Sequence, residues 1–329
     1  MVEQQERLWD FDAVQPGQAG PRTTVKLTPE NIATYALVSQ NPDPRFQRAG
    51  VSAEFEGALV PMPTMALSYA PMLRGEIAEN NGFLALEQSK TARRQTPFAK
   101  CEAHWFRPVR EGDTITGQGR VLEKYERRGS KFVTFRIEAA NQQGEPVGRY
   151  DYTCIFEYAK GQREVPQDRG TAQPEPPPVA DHSAGQLLTF DTVAVGDQLA
   201  TLAITESQDI INRKSAFRLA GKPNESNIHT DEEFARQNIF GGTVNAGPAT
   251  MSYVDQMLER SFPLSAFYNG GGLLMRAITP FRSGDTVTFQ GEVTDKRLEE
   301  GRKLVECRVK GINQRGELVC LADATLVLE

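Results

Sequence analysis

Two periods of apolar residues run along this chain. In one stretch Val133, Phe135, Ile137 and Ala139 alternate with Thr134, Arg136 and Glu138, the period-two pattern of a half-buried strand. Tyr150, Tyr152, Cys154, Phe156 and Tyr158 form a second such stripe, Val305, Cys307 and Val309 a third, and CLADATLVL from Cys320 predicts a last strand. Gly144 and Gly316 stand between paired stripes, and Gly112-Asp113 and Gly284-Asp285 stand just before strands, where hairpins and turns need them. The other period is helical. Met251, Val254 and Leu258 share one face of PATMSYVDQMLER from Pro248, and PTMALSYAPMLRGEIAEN from Pro63 predicts a second helix, each opened by proline.

The pattern occurs twice. PVREGDTITGQGRV from Pro108 returns as PFRSGDTVTFQGEV from Pro280, and NQQGEPV from Asn141 returns as NQRGELV from Asn313, at one offset. Upstream, FDAVQPGQ from Phe11 echoes FDTVAVGDQ from Phe190, followed by LTPENIATYA from Leu27 and ITESQDIINR from Ile204. Matches in the same order read as two copies of one fold. A mainly buried helix followed by antiparallel strands, repeated, predicts an α+β architecture. The expected limits are 1–158 for the first domain, 159–186 for a proline-rich linker and 187–329 for the second domain. PEPPP within the linker favours extended backbone.

Composition narrows the partners. The 329 residues are 39% hydrophobic and 24% charged with net charge -6, an ordinary globular balance without the basic footprint of a nucleic-acid partner. No apolar run reaches the ~20 residues of a membrane-spanning helix, and the polar MVEQQERLWDF offers no secretory signal. Four dispersed cysteines without a CxxC pair, and three histidines, argue against zinc and for a reducing, cytoplasmic compartment.

Few residues offer chemistry. His104 reads as a half-exposed strand histidine, His182 falls in the linker, and NGGG from Asn269 lacks the lysine of a phosphate loop and reads as a flexible loop. No GxSxG elbow is present. That leaves PNESNIHTDEEFA, Pro223 to Ala235. Thr230 and Glu233 have the spacing of a capping box, so a helix should start there with His229 just before its cap. A helix N-terminus disfavours imidazolium, and a neutral ring can accept a proton near pH 7. His229 is then either a general base or a polar residue at a helix start.

The same residues resemble a known family, the MaoC-like hydratases and dehydratases, also called hydratase 2 or (R)-specific enoyl-CoA hydratases. Their signature runs roughly D-x-N-P-x-H-x-D-x-x-x-A, then F-x-x-x-I-x-H-G. Here NESNIHTDEEFA from Asn224 and FGGTVNAGPATMSY from Phe240 are similar to it. LVPMPTMAL from Leu59 and WFRPVREGDTITGQGRVLEKYERRGSKFV from Trp105 resemble the family's N-terminal partner domain. The resemblance implies a tandem, or double, hot-dog fold, each half a central helix wrapped by an antiparallel sheet. It also implies water addition to, or removal from, an acyl thioester, most simply an enoyl-CoA and its 3-hydroxyacyl-CoA, within fatty acid metabolism. No cofactor is implied beyond CoA as part of the substrate.

Carried over by position, the family's histidine is His229 and its aspartate position is Asn224; its asparagine falls on Ser226, its proline on Asn227 and its helix-opening glycine on Gly247. The histidine before that glycine becomes Ala246, with Asn245 beside it. The resemblance therefore implies acid/base work by His229, water orientation by Asn224, thioester-oxygen binding by the Gly247 N–H, and a pocket including Asn245 and Ser226. Glu225 could supply the missing carboxylate if the loop is shifted by one residue. The first copy, with SQNPDPRFQ from Ser39, has no such histidine and would build the acyl pocket. The alternatives are thioester hydrolysis, with Glu225 or Asp231 as base, and a pseudo-hydratase that binds thioesters without turnover. Expected partners are an acyl-CoA or acyl-carrier thioester, with neither nucleic acid nor membrane; monomer and homodimer both fit two fused copies.

Overall fold

The computed structural model describes residues 6–161, 187–223 and 226–328. Ten strands form one sheet: β1 (Ala19–Lys26), β2 (Phe98–Trp105), β3 (Thr114–Arg127), β4 (Ser130–Ala140), β5 (Pro146–Glu157), β6 (Leu202–Thr205), β7 (Gly272–Ala277), β8 (Thr286–Glu299), β9 (Arg302–Asn313) and β10 (Leu318–Leu328). Their order is β1-β3-β4-β5-β2-β7-β10-β9-β8-β6. Each half repeats the other about the β2–β7 join, where Lys100 pairs with Arg276 and His104 with Gly272 in antiparallel register. The repeat extends to an irregularity: β3 slips against β4 between Val121 and Glu123, and β8 slips against β9 between Val293 and Asp295. The double hot-dog architecture and the alternating strands are as the sequence leads one to expect. β1 and β6, which precede the helices, carry no comparable stripe.

The helices are α1 (Pro29–Val38), α2 (Ala66–Tyr69), α3 (Arg74–Asn80), α4 (Gln208–Ala216), α5 (Glu232–Arg236), α6 (Gly247–Glu259) and α7 (Ser265–Tyr268). The central helix of the second copy is α6. It packs against β2, β6, β8 and the 3₁₀ turn Pro63–Met65, and every residue from Ala249 to Glu259 is buried. The expected apolar stripe is therefore only part of its buried surface. Asp255 and Glu259 are also enclosed, facing first-copy partners: Asp255 accepts from the Thr64 N–H at 2.9 Å and hydroxyl at 2.6 Å, and Glu259 accepts from the Asn41 amide at 3.0 Å.

The first copy departs from expectation at its helix. Instead of one helix from Pro63, there is a 3₁₀ turn, α2, a break and then α3. Pro71 lacks an N–H and restricts Ala70, so the helix cannot run through. Tyr150 caps the break, donating from its hydroxyl to the Ala70 carbonyl at 2.6 Å. The Asn269–Gly272 stretch is likewise not a flexible loop. Gly271 donates to the Phe267 carbonyl at 2.8 Å, and a Cβ there would lie 2.8 Å from two carbonyl oxygens. Only glycine fits this tight link from α7 to β7. All four cysteines are buried in strands and free. No helix among the described residues is long and apolar enough to cross a membrane. The expected linker lies almost wholly outside the described residues, as does His182.

Candidate active site

A cavity of about 330 Å³ opens where the broken helix of the first copy faces α4, α6 and the segment that contains His229. Pro71, Met72, Phe98 and Tyr152 come from the first copy, His229 and Gly247 from the second. The break that removes helix from the first copy is thus what leaves room.

Local packing fixes His229. Ile228, Phe234, Ala235 and Val244 bury together in a small cluster of their own, which pins the chain on either side of the imidazole. The His229 N–H donates to the Asn227 side chain at 2.8 Å, and its carbonyl accepts from the Gln208 amide at 2.8 Å. Nδ1 lies 2.8 Å from the Val244 carbonyl. A carbonyl only accepts, so Nδ1 carries the proton of the neutral ring and Nε2 keeps its lone pair. Burial first, and then the positive charges of Arg74 and Arg218, hold the imidazole below its ordinary pKa, against an opposing pull from the Val244 carbonyl. The ring is therefore mostly neutral at pH 7 and above.

The helix start differs from the expected one. The cap of α5 is Asp231 rather than Thr230: its carboxylate accepts from the Phe234 N–H at 3.0 Å. The turn that precedes it uses the Thr230 and Asp231 amides on the Asn227 carbonyl. The neutrality of His229 therefore comes chiefly from burial. Ser226 does not line the cavity; its hydroxyl bonds the Asp231 carboxylate and its carbonyl accepts from Arg93 at 3.0 Å. With the Phe234 amide and Ser226 on its oxygens, Asp231 is held below the usual carboxylate range and works as a cap. Asn224 and Glu225 lie outside the described residues.

Asn245 and Gly247 both line the cavity. Asn245 is fixed on three sides: its N–H donates to the Phe281 carbonyl at 2.7 Å, its side-chain oxygen accepts from the Ala246 N–H at 2.8 Å, and its amide donates to Glu206 at 3.1 Å. Gly247 begins α6 directly under the Phe98 ring, where a Cβ would collide with the ring.

Three functional candidates escape a reading of the sequence. Glu206, 1% exposed, collects the Asn245 amide, the Tyr253 hydroxyl and the Gln40 amide on one oxygen, while the other has no partner. Burial raises its carboxyl to about 7. Lys214 of α4 lines the cavity wall, with its amine on the Ser39 hydroxyl and 3.7 Å from the Tyr35 ring. Burial lowers it to about 7. Arg74, paired with Glu87 and donating to the Thr96 carbonyl at 3.2 Å, puts a buried ion pair in the wall. An acid directly before a helix cap was the only visible signal for Glu206; nothing local marks the other two.

Comparison with known proteins agrees with the fold. Residues 191–314 match the family model described as MaoC like domain. The second copy is a MaoC-like domain. Residues 15–149 match the model described as FAS1-like, dehydratase domain region. The MaoC-like family read from Asn224–Ala235 and Phe240–Tyr253 is therefore the family whose model matches the second copy, and a hydratase or dehydratase function in general agrees with it. A solved MaoC-like dehydratase is 17% identical, with TM-score 0.67, over 95% of this chain and 99% of its own. A putative MaoC domain protein dehydratase from Chloroflexus aurantiacus is 14% identical, with TM-score 0.68, over 99% of each chain. A Mycobacterium tuberculosis protein described as a double hotdog fold is 13% identical, with TM-score 0.57, over 97% of this chain and 98% of its own. No curated protein matches the sequence. The MaoC-like domain contributes His229, Asn245 and Gly247 to the cavity; the FAS1-like region contributes the opposite wall.

Proposed function

We propose that the protein hydrates a 2-enoyl thioester, or dehydrates the corresponding 3-hydroxyacyl thioester, in this one cavity. The observation that carries the reading is the pairing of a neutral His229, its Nε2 unprotonated, with the Gly247 N–H at the start of α6 on the same cavity wall. As a water oxygen bonds to C3, its proton passes to Nε2 and the double-bond electrons move onto the thioester oxygen. That oxygen is stabilised by the helix amide. The imidazolium then returns the proton to C2, and the carbonyl re-forms. His229 alone can serve both transfers. Asn224, as an amide, could orient the water but could not carry a proton.

A CoA ester is the substrate class that fits best. Arg218 and Lys222 are exposed and border the cavity, which suits the phosphates of that carrier. Apolar side chains of Met72, Leu73 and Phe98 suit an acyl chain beyond. Two other readings start from the amide at Asn224. For hydrolysis, Asp231 is a poor base, since its oxygens cap α5 and hold Ser226. For a binding protein, the neutral base would be idle.

Turnover of a trans-2-enoyl-CoA in ¹⁸O-water separates the three. Label on C3 with the thioester intact is the expected result. Label in a free carboxylate would mean hydrolysis, and bound substrate without label would mean a binding protein.

A further inference from the structure

The start of α6 offers one free donor to a thioester oxygen. The Ala246 N–H is taken by the Asn245 side chain at 2.8 Å, Pro248 has no N–H, and the Ala249 N–H turns back to the Ala246 carbonyl at 3.0 Å. Of the N–H groups at this helix start, only that of Gly247 has no acceptor among the described residues. An oxygen that gains charge as C3 is attacked has lone pairs for two donors, and a site that supplies both before the reaction stabilises it more.

The opposite wall holds a hydroxyl in need of a partner. Tyr152 of β5 lines the same cavity, and its ring stands edge-on to Phe98 with centroids 5.0 Å apart. Phe98 is the ring that covers Gly247. The other tyrosines around the α6 core are committed: Tyr150 to the Ala70 carbonyl, Tyr35 to Thr64, Tyr253 to Glu206 and Tyr268 to the Pro61 carbonyl. The Tyr69 hydroxyl has no partner either, but Tyr69 does not line the cavity. The Tyr152 hydroxyl makes no hydrogen bond with any described residue. Burial holds its phenol well above the ordinary range, so it stays a donor.

We propose that Tyr152 is a catalytic residue of the first copy, its hydroxyl donating to the thioester oxygen together with the Gly247 N–H of the second. This rests on the hydratase reading above. The phenol keeps its proton throughout: electrons reach the thioester oxygen when water adds at C3, both donors hold it, and the carbonyl re-forms when C2 is protonated. Each copy thus supplies one donor, so neither copy alone has a complete site.

The test uses Tyr152→Phe, which keeps the ring and its contact with Phe98. Bound butyryl-CoA, labelled with ¹³C at the carbonyl, cannot be hydrated and reports the donors directly through its infrared stretch. The stretch should lie lower in the wild type than in the variant, and kcat on enoyl-CoA should fall roughly 10²- to 10³-fold with KM little changed. An identical stretch in both proteins overturns the proposal whether or not the wild type hydrates anything. A shifted stretch without wild-type turnover would keep the Tyr152 contact and reject the hydratase reading instead.

Discussion

Leu27 and Glu206 hold the same position in the two copies. The Leu27 N–H donates to the Asp113 carbonyl and its carbonyl accepts from Gly112; the Glu206 N–H donates to the Asp285 carbonyl and its carbonyl accepts from Gly284. Each directly precedes the cap of a helix, Thr28 for α1 and Ser207 for α4. In the first copy the side chain is core hydrocarbon. In the second it is a buried carboxyl that reaches Asn245 and Tyr253, beside the start of α6.

This carboxyl makes stability depend on pH. Its folded pKa of about 7 lies above the ordinary 4.5, so the folded state binds the proton more tightly. The contribution is complete below pH 4.5 and is lost as pH rises through 7, a change on the order of 3 kcal/mol. Asp255 and Glu259 are raised by burial in the same direction. Lys214 acts oppositely: its folded pKa of about 7 lies below 10.5, so its penalty is full below 7 and disappears toward 10.5. Urea midpoints should fall between pH 4.5 and 7 and recover in part above 7. Glu206→Gln should make the acid part of that curve shallower; an unchanged slope would assign it to the other acids.

The two copies are also joined by a buried charge-assisted contact. Thr64→Val keeps the volume but removes the hydroxyl that donates to Asp255 at 2.6 Å. A hydrogen bond to a buried carboxylate contributes about 1.5–3 kcal/mol, and equilibrium unfolding at pH 8 should show a loss of that size. The loss should shrink at pH 5, where the carboxyl of Asp255 is protonated more readily. Equal losses at both pH values would contradict an ionised Asp255.

Gly247 is tested by its space. Gly247→Ala drives a methyl into the Phe98 ring, so the ring or the start of α6 must move. We expect kcat/KM for hydration to fall about 100-fold, since small misplacements at a reacting centre cost that much. Phe98→Leu in the same chain should recover part of it. A fully active Gly247→Ala would mean that the oxygen binds elsewhere.

Much of this was legible in the sequence because strands and repeats are local. The stripes at Val133–Ala139 and Val305–Val309 mark β4 and β9, and the 172-residue repeat of GDT runs into β3 and β8. The break after α2 was foreshadowed by Pro71, but the apolar residues on both sides looked like one helix. Thr230 and Asp231 can each cap by sequence, and the choice of Asp231 depends on the turn at Asn227. Glu206 was hidden by alignment. Matching its Thr-acidic-Ile stretch to that of the first copy sets Glu206 against an exposed helix acid, while the shared cap positions set it against buried Leu27. Tyr152 reads as one more member of a strand stripe; only the cavity shows a hydroxyl without a partner among the described residues.

The proposed hydration depends most on His229 as a neutral base. Hydration of crotonyl-CoA should follow a single acid limb below pH 6.5, because burial and Arg74 lower the imidazole and the proposed base is its unprotonated form. His229→Gln should remove roughly 10²- to 10⁴-fold of kcat and abolish that limb while leaving the unfolding midpoint near the wild-type value. A variant that still hydrates at the wild-type rate with the same limb would rule out His229 as the base.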